Sequence, residues 1–411
     1  MKMLIKTLLA LTLFAFSAST AFGGCGIKSG SVNILSNDFP AIHAVLAGAK
    51  ECAGGGVEFK SNSTKDHKDL MVPALKSNPA QYTSVVVANG TLVPLLNEDL
   101  IRPLDDLVKK YGKDLGKSQL ITINGKIMAI AFMANSQHLF YRADILRKAG
   151  AKTPNTYEDI LAAAKLIKDK KLMEYPLSGT YQAGWNLGEE FVNMYFGYGG
   201  SLFKAGTPEP AINNPKGVAA LKMMKALSEY MNPDFLTFDS NAVQAQWESG
   251  KVAITNLWGS RYGAIMDDTG STQEIVKNTK IAYAPYVGGE NIPATTLWWD
   301  GFTISKNISD ADAEATFLAL MNGISSKVAN ANPDDAVWII PGYKASAAGK
   351  GTIDSAKRKA SPYPMVPYIG LMHNALGKEL VDFLQGKESA EKSLSDAEEA
   401  YKTAAKEGGF L

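Results

Sequence analysis

Between Leu120 and Lys168 the chain changes its hydrophobic period, and this stretch restricts the fold more than any other. Two apolar runs, Leu120–Ile123 and Ile127–Phe132, flank a turn at Gly125 and Lys126. An extended segment, Ala134–Tyr141, leads into a short helix over Arg142–Ala149. Gly150 stops that helix, because glycine enters the left-handed cap without steric cost. Thr156 then caps a second helix, with Asp159 three residues on, and Ile160, Leu161, Ala164 and Ile167 form one apolar face. Pro154 keeps the two helices apart.

The same alternation precedes this stretch. Val32–Leu35 reads as a strand, and Asn37-Asp38-Phe39-Pro40 opens a helix whose Ile42, Val45, Leu46 and Ala49 share a face. Val57–Lys60 is a second strand followed by a helix over Lys68–Lys76. Ser84–Ala88 is a third strand, apolar enough to be covered on both faces, and Asn89-Gly90-Thr91 starts the next helix. Strands alternating with helices indicate α/β architecture and a parallel sheet. Ligands bind such sheets beyond the carboxyl ends of the strands, here Asn37 and Asp38, Asn62 and Ser63, and Asn89 and Gly90. Each of these residues also suits an ordinary cap or turn.

At the amino end, Lys2 and Lys6 precede the apolar run Leu8–Phe16 and the small residues Ser17–Ala21. This is the pattern of a secretory signal peptide, assigned to residues 1–24. No other run approaches the ~20 apolar residues of a membrane span. An oxidising destination permits a disulfide between the only two cysteines, Cys25 and Cys52. The alternative is a lipid carried by Cys25, although no leucine stands three positions before it. The chain carries 42 basic and 41 acidic side chains of mixed distribution, so no basic footprint for nucleic acid is present. The four histidines lack metal-ligand spacing.

Several motifs occur in a telling order: Asn124-Gly125-Lys126, Asn135-Ser136, Tyr141, Asp144-Ile145-Leu146 and Thr156-Tyr157-Glu158-Asp159. Leu100–Leu107 precedes them. Gly199-Gly200, Gly250–Ile254 with Trp258, Leu297–Ser305 and Trp338–Tyr343 follow. Their order and spacing resemble the family 1 extracellular solute-binding proteins of ABC importers, the maltose-binding-protein-like group. The resemblance implies a two-lobed, type II periplasmic-binding-protein fold. Each lobe would hold a central, mostly parallel sheet flanked by helices, with a ligand cleft between the lobes. Lobe 1 would comprise residues 25–134 and 303–342, and lobe 2 residues 135–302 and 343–411. The crossings would fall near 134–141, 297–304 and 338–345.

It also implies a periplasmic, monomeric protein that delivers a solute to a membrane ABC permease, without cofactor, metal or catalytic residues. A sugar offers C–H faces that suit aromatic planes and a hydroxyl rim that suits amides, carboxylates and arginine. The candidate planes are Trp185, Trp258, Trp298, Trp299 and Trp338, with Tyr343 beside the last. The candidate polar partners are Asn37, Asp38, Asn62, Asn89, Asn135, Arg261 and Asp300. The segment 180–203 holds Tyr181, Gln182, Trp185, Asn186, Glu189 and Glu190 and resembles the family's segment before its paired glycines, where an aromatic often faces the ligand. One of Trp298 and Trp299 is expected in the core and the other in the cleft. Asn135 stands where maltose-binding relatives carry a glutamate, which points away from maltodextrin but not from carbohydrate. Two other readings remain at this point. Clustered tryptophans beside an aspartate also suit a quaternary ammonium osmolyte. An exported glycosidase would need two carboxylates flanking the scissile bond, and no motif places them.

Overall fold

The computed structural model describes residues 24–54 and 56–411, so the expected leader lies outside the described residues except for Gly24. In chain order the strands are β1 (Ser31–Ser36), β2 (Glu58–Ser63), β3 (Ser84–Ala88), β4 (Leu120–Ile123), β5 (Lys126–Asn135) and β6 (Gln137–Arg142). They continue with β7 (Leu177–Ser178), β8 (Ile254–Trp258), β9 (Thr279–Ala282), β10 (Thr296–Phe302), β11 (Val337–Trp338) and β12 (Ser361–Pro362).

They form two sheets, and each sheet with its helices is one lobe. The first has eight strands in the path β11-β5-β10-β3-β1-β2, with β4 beside β5 and β12 beside β10; the second has the order β7-β8-β6-β9. Strands β5 and β6 follow one another with only Ser136 between them, yet lie in different sheets. Here the chain passes from one lobe to the other.

The expectation of mostly parallel sheets holds only in part. β1 pairs in parallel with β2 and β3. However, β10 pairs antiparallel with β3 and β5, and β11 antiparallel with β5. In the second sheet β6 is antiparallel to both β8 and β9, and only β7 and β8 run parallel. The reason is connectivity. A parallel neighbour needs a crossover within one lobe. β5 arrives through the β4 hairpin, and β10 and β11 return from the other lobe. The second crossing also moves. The segment 297–304 was expected at the hinge, with residues to 302 in lobe 2, but β10 pairs along the first sheet, so this crossing precedes Thr296.

The alternation of strand side chains builds the first lobe's two cores. Val32, Ile34, Val86, Ile130 and Phe132 face the helices Pro40–Lys50 and Asp310–Gly323. Leu35, Val85, Val87 and Ala129 face His67–Lys76 and Asn89–Asn97. In the second lobe, Leu139 and Ile254 face a helical layer that includes Trp185–Gly197, Pro215–Ser228, Ile369–Glu379 and Ala390–Glu407. Phe140 and Leu257 face Val243, Trp247 and Ile265 on the opposite side.

The local devices behave as the residue types require. Asn124 and Gly125 both take positive φ, 49° and 77°, as a two-residue hairpin turn demands. Gly150 caps its helix at φ 71° and ψ 23°. The Thr156 hydroxyl accepts from the Asp159 amide at 3.1 Å, and Asp159 Oδ2 accepts from the Thr156 amide at 3.2 Å.

Cys25 and Cys52 form a disulfide across a sequence separation of 27. Closing a loop of that length restricts the unfolded chain by ~3 kcal/mol in the chain-entropy description. Replacing both cysteines by serine should therefore lower the urea-unfolding free energy by about that amount, with the slope on denaturant rising as the unfolded state expands. An unchanged midpoint would show that the crosslink contributes nothing.

Candidate functional site

A cavity of about 760 Å³ lies between the two lobes. Its walls come from the carboxyl ends of β1 and β3, the helix His67–Lys76, the crossing at Asn135, the end of β8, and β10. The opposite wall comes from the start of the helix Trp185–Gly197 and from the segment 363–374.

Aromatic rings form one end. Trp185 begins its helix after Gly184, which takes φ 97°, and the Gly184 amide donates to Gly377 at 2.9 Å. A Cβ at Gly377 would stand 2.1 Å from the Gly184 carbonyl oxygen, so glycine there lets the helix Ile369–Glu379 approach. Trp185 lies 6.3 Å from Trp258 with planes 29° apart, and 5.6 Å from Trp298 edge-on. Trp258 and Trp298 meet edge-on at 5.9 Å. Tyr363 stacks on Trp298 at 4.0 Å, and His373 stacks on Trp185 at 4.9 Å. The cage thus draws on β8, β10, the residue following β12 and two helices.

Hydrogen bonds hold these rings. His373 Nε2 lies 2.7 Å from the Trp185 carbonyl, which can only accept, so Nε2 carries the proton. Burial pushes this imidazole down to about 4, so it is neutral and its Nδ1 accepts from the Tyr363 hydroxyl at 2.5 Å. Trp298 Nε1 donates to Glu189 Oε1 at 3.0 Å and to the Thr296 hydroxyl at 2.8 Å. Glu189, Glu190 and Asn193 lie on one helix, and beneath the rings they meet Gln137, Thr180 and Thr296. Burial raises Glu189 to about 8, and its Oε2 has no hydrogen-bond partner among the described residues; burial also raises Glu190 to about 7.

Charges complete the cavity. The Lys68 ammonium sits 3.1 Å from the Trp185 ring centroid. Burial lowers Lys68 to about 7, against the opposing pull of Glu189, Asp300 and Asp69. Asp300 stands two residues after Trp298 on the cavity side of β10, and burial raises it to about 7 while Lys68 restrains the rise. Arg261 donates to Gln244 Oε1 at 3.2 Å; burial lowers its pKa, opposed by Asp239, Asp38 and Glu248.

Of the residues singled out from sequence, Asn37, Asp38, Asn135, Trp185, Trp258, Arg261, Trp298 and Asp300 line this cavity. Asn135 also bridges the lobes, donating to Ser260 Oγ at 3.1 Å and accepting from the Ser260 amide at 3.3 Å. The other five lie elsewhere. Asn62 is exposed and donates to the Tyr82 hydroxyl, because β2 is the edge strand. Asn89 is buried and clamps strands together, accepting from the Trp299 amide at 2.9 Å. Trp299 packs into the first lobe's core, since adjacent strand residues face opposite ways. Trp338 is buried against Phe132 and donates to the Asn332 carbonyl. Tyr343 donates its hydroxyl to the Pro333 carbonyl and packs on the same core. Sequence reading passed over Lys68, Tyr363 and His373 as site residues. For Lys68 there was a usable signal, the charged run Lys65–Asp69 after the carboxyl end of β2.

A family model described as bacterial extracellular solute-binding protein matches residues 36–391. A probable ABC transporter-binding protein of Deinococcus radiodurans is 24% identical over 54% of this chain, a match that spans 58% of that relative's length. The maltodextrin-binding protein MdxE of Bacillus subtilis is 25% identical over 74% of this chain and 73% of its own. Among solved structures, maltose-bound T. maritima MalE3 superposes with a TM-score of 0.79 at 15% identity, covering 92% of this chain and all of that one. A solute-binding protein of Agrobacterium radiobacter K84 in complex with ribitol gives 0.78 at 22% identity, covering 92% and 99%.

The native state keeps a proton on Glu189 that the unfolded chain releases near 4.5, so this group lowers stability as pH rises from about 4.5 to about 8. Glu189→Gln removes that contribution. The melting temperature of the variant minus that of the wild type should grow between about pH 5 and about pH 8. A difference that stays constant over the range would place Glu189 in a solvated setting.

Proposed function

The chain belongs to the bacterial extracellular solute-binding proteins, and from that premise we propose that it captures a carbohydrate between its lobes and delivers it to an ABC permease. The carrying observation is the cage of Trp185, Trp258 and Trp298 at one end of a polar cleft. Indole faces suit the C–H surface of a sugar, while Asp300, Asn135, Asp38 and Arg261 suit its hydroxyl rim. The relative named for maltodextrin and the two structures named for maltose and ribitol support the same class of uncharged polyhydroxyl ligand.

The proposed mechanism is hinge closure about the crossings at Asn135–Gln137, before Thr296 and after Trp338. The solute touches both lobes at once, so it binds the closed form better than the open one and shifts the population by that difference. The permease then reads the closed form. Glu189, whose Oε1 is held by Trp298 and Thr296, serves as a positioning group rather than as a general acid.

Trp258 ends β8 with its ring half-buried at the cavity. Trp258→Ala should weaken carbohydrate binding about tenfold or more by calorimetry, since stacking contributes ~1 kcal/mol beyond the area buried. Its melting temperature without ligand should stay close to that of the wild type. Ligands would come from a thermal-shift panel of mono-, di- and oligosaccharides, polyols, glycosides and betaines. Wild-type affinity in the variant would remove this ring from the site, and a panel in which only betaines raise the melting temperature would overturn the carbohydrate reading.

A further inference from the structure

Lys68 occupies the position that a dissolved cation would take. It stands in the first turn of the helix His67–Lys76, in the first lobe, and its ammonium lies 3.1 Å over the ring of Trp185, which belongs to the second lobe. It therefore reaches across the cleft. Trp185 is also in contact with Trp258, Trp298 and His373, and Trp298 with Tyr363, so the ammonium sits at the mouth of a continuous aromatic surface. Burial lowers this group to about 7, and Glu189, Asp300 and Asp69 oppose that by favouring its charged form.

Aromatic faces attract quaternary ammonium ions, which combine positive charge with an apolar surface. Without Lys68, that is the chemistry this end of the cavity would present. We propose that Lys68 is the specificity-determining residue of the cleft: a tethered ammonium that fills the cation position of the cage, so that the site accepts uncharged rings and polyols and refuses free ammonium solutes. A neutral sugar does not need the cation position itself. It can displace the flexible lysine from the indole face and then use the amine as a hydroxyl partner opposite Asp300. A dissolved ammonium ion must instead displace an identical charge that is covalently held at high local concentration.

The inference rests on the reading of this cleft as the solute site. Its test is calorimetric titration of choline and of tetramethylammonium into the wild type, Lys68→Met, Lys68→Gln and Lys68→Arg, with a thermal melt of each. Met and Gln keep most of the side-chain volume, and Arg keeps the charge. The wild type and Lys68→Arg should show no binding at millimolar choline. Lys68→Met and Lys68→Gln should bind it at least tenfold more tightly than the wild type. The proposal is overturned if the wild type binds choline as well as the folded Met or Gln variant, if neither variant gains binding, or if Lys68→Arg gains as much as Lys68→Met. Carbohydrate titrations on the same samples separate the two readings. A gain of choline binding in a protein that takes no carbohydrate would remove the proposed function and leave the role of Lys68. Carbohydrate binding without that gain would do the reverse.

Discussion

Strand β10 ties the molecule together, because its alternate residues serve different lobes. Its backbone lies in the first sheet between β5 and β3. Its Trp298 side chain leaves that sheet, packs with the second lobe's core and donates to Glu189 on a helix of that lobe. Trp299 turns the other way and packs, partly buried, against the first lobe's core, while Asp300 returns to the cleft. The close fit of β10 to β5 depends on Gly301, where a Cβ would stand 2.5 Å from the Ile130 carbonyl oxygen. A single strand therefore sets the distance between the lobes, the orientation of a cage ring and the position of a cleft carboxylate.

Hydrogen bonds to the polar layer under the rings hold the Trp298 indole in place. Glu189 and Glu190 are buried among hydroxyls and amides, and burial holds both well above the usual carboxylate range. A buried carboxyl in its neutral form avoids the large cost of an unpaired charge in a low dielectric. It can still accept from Trp298 and fix the indole plane. Lys68 and Asp300 lie at the cavity itself, where burial pushes both toward neutrality and their attraction opposes it. Groups balanced in this way can exchange partners with hydroxyls at little net cost, which suits a cleft that must both bind and release its solute.

Much of the fold was legible because it rests on local rules. The Asn124-Gly125 turn, the Gly150 cap, the Thr156–Asp159 box and the Cys25–Cys52 crosslink each follow from a few neighbouring residues. Strand direction was not legible, because antiparallel pairing of β10 and β11 depends on their return from the other lobe. Trp185, Trp258, Trp298 and Asp300 line the cavity, and they stood out in the sequence because aromatic residues cluster around its loops and crossings. Trp338 and Tyr343 shared that signal and proved to be core, since residue type near a crossing does not state which way a side chain faces. Tyr363 and His373 were missed for the opposite reason. They lie far along the chain from the other cage residues and reach the cage only through β12 and the helix that follows.

Capture between the lobes requires that a ring-shaped or polyhydroxyl solute lie against the indoles of Trp185, Trp258 and Trp298 with both lobes in contact. A crystal structure of the complex with a carbohydrate that stabilises the protein tests this most directly. The expected complex has a C–H face of the ligand on an indole plane, a ligand hydroxyl donating to Asp300, and the Lys68 ammonium moved off the Trp185 ring. A carbohydrate bound outside the cleft, or within it with the Lys68 ammonium still on Trp185 and no indole in contact, would contradict it.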